Sequence, residues 1–205
     1  MFDMSDFLHV FVPMFVIVDP FASLALFISL TSRMNPENVK KTINESVLYG
    51  FIILIFFTFA GIYVLEFFGI SIEALEIAGG LLMLFVGIEM VREGDKPRVS
   101  KKGEEVEEEI GDVGLVPLAT PMLAGPGAIS LVIILMETYS WVLVIISLVI
   151  VFAIVYVFFF FSSKLFRLIG LKGSRAFTRI LGLLVAAFAI QYILNGAGSW
   201  ISHLL

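Results

Sequence analysis

"VLVIISLVIVFAIVYVFFFF", Val142 to Phe161, is a run of 20 residues with no charge and with Ser147 and Tyr156 as its only polar side chains. A membrane-spanning strand would alternate apolar and polar positions. This run is apolar all round, so it reads as a helix, and about 20 helical residues cross the ~30 Å hydrocarbon core of a bilayer. Five further charge-poor runs extend the reading to the whole chain: Phe7–Leu30, Ser46–Leu65, Ala74–Val91, Leu115–Met136 and Ile180–Ile201. With 60% hydrophobic and 15% charged residues, the composition lies far outside that of a soluble domain. The expected protein is all-α and polytopic, with six transmembrane helices.

Charge orients it. Arg33, Lys40 and Lys41 lie between spans one and two; Arg92, Lys96, Arg98, Lys101 and Lys102 between three and four; Lys164, Arg167, Lys172, Arg175 and Arg179 between five and six. These are all 13 basic residues, and because basic loops stay in the cytoplasm, both termini are expected outside, in a multi-pass protein of the cell membrane. The first run has no basic leader and reads as a retained span. The connection "EGDKPRVSKKGEEVEEEIGD" reads as a solvated linker, residues 93–113, between halves at 1–92 and 114–205 that form one integrated transmembrane domain.

The halves resemble one another. At an offset of 106, "DPFASLALFISL" (Asp19–Leu30) falls on "GPGAISLVIILM" (Gly125–Met136), and at 102, "GLLMLFVGIEMV" (Gly80–Val91) falls on "GLLVAAFAIQYI" (Gly182–Ile193). Each half has an odd number of crossings, so the second starts on the opposite side from the first. This predicts two inverted three-helix repeats, a plan common among secondary transporters.

Five of the seven prolines lie in equivalent spans, Pro13 and Pro20 in span one and Pro117, Pro121 and Pro126 in span four. Proline interrupts a helix by removing a donor and crowding the preceding turn, so both spans should be discontinuous. Asp19 lies 12 residues beyond Phe7, about 18 Å along a helix and near mid-membrane. Pro20 and Pro126 would open new half-helices with Asp19 and Gly125 as N-caps. The free amides there suit a carboxylate and the carbonyls ending the preceding half-helices suit an ammonium group, so the expected ligand is a small zwitterion. The expected binding residues are Asp19, Pro20, Phe21, Ala22, Ser23, Thr120, Ala124, Gly125, Pro126, Gly127 and Ala128.

Asp19 can cap its half-helix, contact substrate or carry a proton, and Glu89 and Gln191 are further candidates for a proton or polar relay. Glu89, three residues from Arg92, belongs near the inner surface. Gln191, which aligns with Glu89, and nearby Asn195 belong toward the outer half of span six, with helix-to-helix hydrogen bonding as their expected work. The chain has no cysteine and no G-x-x-x-x-G-K-[ST] stretch. Thiol chemistry is thereby excluded, and uphill transport would draw on an ion gradient or a partner. No metal or cofactor is expected, and no enzyme activity. Lipid and a small amino acid are the expected partners, and nucleic acid is not.

"DPFASLALFISLT", "FGISIEALEIAGGLLMLFVGIEM" and "VPLATPMLAGPGAI", in this order and spacing, resemble the MarC family of six-span membrane proteins, including its archaeal SnatA branch. The resemblance covers nearly the whole chain. It implies a transporter of the LysE-like superfamily that handles small neutral amino acids such as glycine and alanine, with proton-coupled uptake. Many members carry Asn where this chain has Asp19; an amide cannot exchange a proton in this range, which weighs toward capping. Other readings of the residues are an exporter of amino acids or related metabolites, a membrane-embedded enzyme or lipid-acting protein, and a channel. The channel is disfavoured because the breaks lack the acid rings or repeated carbonyl motif of a filter.

Overall fold

Proline opens three of the helices described, at Pro20, Pro36 and Pro126. The computed structural model describes residues 3–32, 34–92, 118–119 and 122–204, and among them there is no strand. The helices are α1 (Met4–Val18), α2 (Pro20–Thr31), α3 (Pro36–Phe68), α4 (Ile72–Arg92), α5 (Pro126–Thr138), α6 (Trp141–Phe160) and α7 (Ser162–Leu204). The expected first span is thus two helices with one residue, Asp19, between them.

Local chemistry accounts for the boundaries. Asn35 caps α3 by accepting the Asn38 amide at 2.8 Å, with Pro36 in the first turn, where its missing donor costs nothing. At the far end Gly69 turns left-handed at φ 65°, and the Ile70 amide reaches back to the Leu65 carbonyl at 2.9 Å. The Ser71 hydroxyl then accepts the Ala74 amide at 3.2 Å and starts α4.

Five stretches among the described residues are long and apolar enough to cross a membrane: Met4–Thr31, Pro36–Phe68, Ile72–Arg92, Trp141–Phe160 and Ser162–Ser202. The expected fourth span, Leu115–Met136, lies partly outside the described residues, and its second part is the 13-residue α5. The linker 93–113 lies wholly outside them.

The structure differs from expectation at the last connection. Instead of a loop before Ile180, helix resumes at Ser162, and Lys164, Arg167, Lys172, Arg175 and Arg179 all lie on it. Lysine and arginine are good helix formers, and the segment contains no proline. The single interruption is Gly170, at φ 67°, ψ 170°.

The short α5 is enclosed: Ser130 through Leu135 are all buried. Glycines on its neighbours permit this. A methyl group added to Gly61 of α3 would overlap Ile133, and one added to Gly79 of α4 would lie 2.6 Å from the Ser130 Cβ. Helices α4 and α7 pack still more closely, backbone to backbone. A methyl on Gly80 would sit 2.8 Å from the Ala189 carbonyl and 3.2 Å from the Ile193 amide; one on Gly182 would sit 2.9 Å from the Gly87 carbonyl and 3.1 Å from the Val91 amide. The two helices run antiparallel, with Gly196 against Glu73 and Gly182 against Met90.

Candidate functional site

Four hydrogen bonds frame the first break. Asp19 takes the left-handed conformation, φ 43°, ψ 77°, the sole non-glycine residue described with positive φ. Aspartate tolerates this region better than most residues because its short polar side chain bonds locally. Its amide closes α1 on the Phe15 carbonyl at 3.2 Å, and its carbonyl accepts the Ser23 amide at 3.1 Å to open α2. Its carboxylate Oδ1 accepts the Ala22 amide at 3.2 Å as the N-cap, with Pro20 in the first turn. The Ser23 hydroxyl donates to the Val18 carbonyl at 3.2 Å, satisfying an acceptor that the helix break would otherwise strand. Asp19 is only 4% exposed and Ser23 is fully buried.

The second break is built differently. The chain approaches it through a wide turn in which the Ala124 amide bonds the Ala119 carbonyl at 2.9 Å, five residues back. Gly125 is extended at φ −77°, ψ 170°, a conformation open to any residue, and its carbonyl accepts the Ile129 amide at 3.0 Å. Pro126 begins α5, and no side chain caps it. Gly127 lies closely against two side chains. A methyl there would lie 3.2 Å from the Met83 Cγ and 3.4 Å from the Ile17 Cδ1. Ile17 stands two residues before Asp19, so the end of α1 touches the start of α5.

The structure therefore brings the two breaks together, with α4 contributing Met83. Pro20, Ser23, Ala124, Gly127 and Ala128 are buried, Phe21, Ala22 and Gly125 are half-buried, and Pro126 is exposed. Phe21 faces the first half of α7 and the end of α6, stacking on Phe177 at 4.6 Å and meeting Phe158 edge-on at 5.3 Å. Thr120 lies outside the described residues. Glu89 and Gln191 lie on exposed faces of α4 and α7, whereas Asp19 is buried. Gln191 donates to the Asn195 Oδ1 at 2.8 Å within its own helix, where a bond to another helix was expected.

Three contributors were not singled out in the sequence. Ile17 and Met83 are apolar and carry no signal beyond the run they belong to. Ser174 donates to the Phe21 carbonyl at 2.9 Å across 153 residues; a serine among basic residues reads as loop. Among the described residues no group of three acidic or histidine side chains could hold a metal. What the site offers a ligand is backbone polarity, one carboxylate and small apolar walls.

Apolar spans, a broken first helix and a short enclosed helix define a polytopic helical integral membrane protein. The family model for the MarC family integral membrane protein matches residues 4–201, and the chain belongs to that family. It is 35% identical over 198 residues to the UPF0056 membrane protein MJ1677 of Methanocaldococcus jannaschii, covering 95% of this chain and 97% of the relative. It is 34% identical over 196 residues to the inner membrane protein MarC of Escherichia coli K12, covering 88% of each, and 28% identical over 203 residues to a membrane protein of Aquifex aeolicus, covering 96% and 94%. No solved structure matches the chain.

Proposed function

We propose that this protein is a secondary active transporter of small neutral amino acids, glycine and alanine, coupled to protons and working by alternating access, in the cell membrane with both termini outside. The observation that carries the reading is the contact between the two breaks, Ile17 against Gly127, with Asp19 buried beside it. Backbone that leaves helical geometry at membrane depth is tolerated where protein or a cavity covers it, and two such places adjoining one another form a polar spot in an apolar interior. The amides opening α5, which no side chain caps, favour a carboxylate, the Asp19 carboxylate and the carbonyls ending the preceding half-helices an ammonium group, and the alanine and glycine walls a short side chain.

Two inverted repeats supply the alternation. The contacts between α4 and α7 support this plan: Gly80 meets Ala189 and Ile193 as Gly182 meets Gly87 and Val91. Each residue of one set lies 102 positions from its counterpart, the offset at which the two sequences match. A two-fold axis between these helices, in the membrane plane, would exchange the breaks and the sides from which they are reached.

The test is uptake of labelled glycine and alanine into liposomes containing the purified protein, with and without an imposed proton gradient. Gradient-dependent uptake that a protonophore abolishes is expected. Absence of both gradient-dependent uptake and counterflow, for every small amino acid, rejects the reading.

A further inference from the structure

The amide pair on α7 is in an unexpected place. Gln191 lies 11 residues beyond Ile180, the start of the apolar run, about 16 Å along the helix and so near mid-membrane. Both Gln191 and Asn195 are exposed. Their neighbours on this face are not those of a water-filled path: Leu183 is 67% and Leu194 61% exposed, and Ile190 is exposed with them. Such residues face lipid.

One hydrogen bond joins the two amides, Gln191 Nε2 to Asn195 Oδ1. A glutamine and an asparagine together carry four N–H donors and two carbonyl oxygens. Among the described residues the Gln191 oxygen and the Asn195 nitrogen have no other partner, and hydrocarbon supplies none. Unsatisfied amides in the bilayer favour bonds to another helix.

We infer that this face of α7 is where a second copy of the chain docks, the two α7 helices packing side by side about an axis along the membrane normal. Both copies cross the membrane in the same direction, so that axis sets each Gln191 at the depth of its counterpart. Amides both donate and accept, so the pair is its own complement, as a two-fold interface requires. The face is also shaped for close approach. Ala187, one turn before Gln191, is exposed, and a methyl on Gly198, one turn beyond Asn195, would touch nothing. At the position of α4 that matches Ala187, 102 residues earlier, stands Phe85, 67% exposed. The bulky ring makes α4 the less suitable of the two faces.

The chain has no cysteine, so a single introduced cysteine reports on its own position. In liposomes of native-like lipid, Ala187→Cys is expected to form a disulfide-linked dimer on mild oxidation, and Phe85→Cys is not. Pairing Gln191→Leu with Asn195→Leu should lower the dimer fraction at fixed protein-to-lipid ratio, the association constant falling roughly tenfold, within the range measured for interhelical hydrogen bonds in membranes. Native mass spectrometry from the same bilayers measures that fraction, and a circular dichroism spectrum like the parent's shows that the leucine variant is folded. A monomer at every protein-to-lipid ratio overturns the inference. So does a dimer that Ala187→Cys does not cross-link, or rapid labelling of Ala187→Cys by a membrane-impermeant maleimide, which would place this face on an aqueous path.

Discussion

Asp19 holds a left-handed backbone and a helix cap at once, and its neighbour Ser23 closes the other side of the same break. Substitutions separate these tasks. Asp19→Asn keeps an acceptor for the Ala22 amide and a residue type at ease with positive φ, so thermal unfolding in detergent should stay within a few degrees of the parent. Asp19→Ala loses the cap, worth about 0.5–2 kcal/mol, and puts a residue with no compensating side chain in the left-handed region. It should unfold clearly earlier. If the two variants unfold together, the side chain is not the cap. Uptake by the Asp19→Asn protein then reads the charge alone, and an unchanged pH dependence removes Asp19 as the proton site. Ser23→Ala strands the buried Val18 carbonyl, an unmet acceptor costing about 1–3 kcal/mol, and Ser23→Thr, which restores a hydroxyl, should recover part of that loss in the same unfolding measurement.

At the scale of the helix, two glycines with similar φ have different requirements. Gly69 ends α3 at φ 65°, ψ 28°, within the left-handed helical region that asparagine also visits. Gly170 interrupts α7 at φ 67°, ψ 170°, in a region essentially confined to glycine, where other residues pay about 1–3 kcal/mol. A methyl would meet nothing at either position, so backbone conformation alone decides. Gly170→Asn should therefore lower the unfolding temperature more than Gly69→Asn; equal losses would mean that the α7 interruption relaxes into continuous helix. These two sites also show what was legible in the sequence. Prolines announce the breaks at 20 and 126, though the ring alone does not decide them: Pro13 sits inside α1 without interrupting it, whereas Pro20 follows a residue in the left-handed region and Pro126 an extended one. Gly170 gave no comparable signal, since glycine is tolerated inside helices, and its basic neighbours read as loop although they favour helix. Nor could the sequence tell that Gly125 is conformationally ordinary while Gly127 is closely packed: that distinction depends on Ile17 and Met83, brought there by other helices.

Across the molecule, α4 and α7 meet through glycines whose contacts correspond pair by pair at one sequence offset. The match of Gly80–Val91 with Gly182–Ile193 pointed to equivalent spans, but not that these spans pack on one another; that follows only from how closely the backbones approach. The correspondence makes a quantitative claim. A valine at Gly80 must displace Ile193 and press on the Ala189 carbonyl; a valine at Gly182 must displace Met90 and press on the Gly87 carbonyl. Each is overpacking of a tight contact, which costs about 1–3 kcal/mol, and because the surroundings correspond the two costs should be alike. The two sites are separate contacts in register rather than neighbours in one pocket: Gly80 meets α7 a full 7 residues along α4 from Gly87, the partner of Gly182, about two turns or about 10 Å. Substitutions that far apart ordinarily add within about 0.5 kcal/mol. Here both act by forcing the same two rigid helices apart, so once one valine has separated them the second has less left to displace. Equilibrium unfolding of Gly80→Val, Gly182→Val and the double variant is expected to give two similar losses and a combined loss smaller than their sum. A combined loss equal to the sum would show that each contact yields locally, and that α4 and α7 do not move as one packed pair.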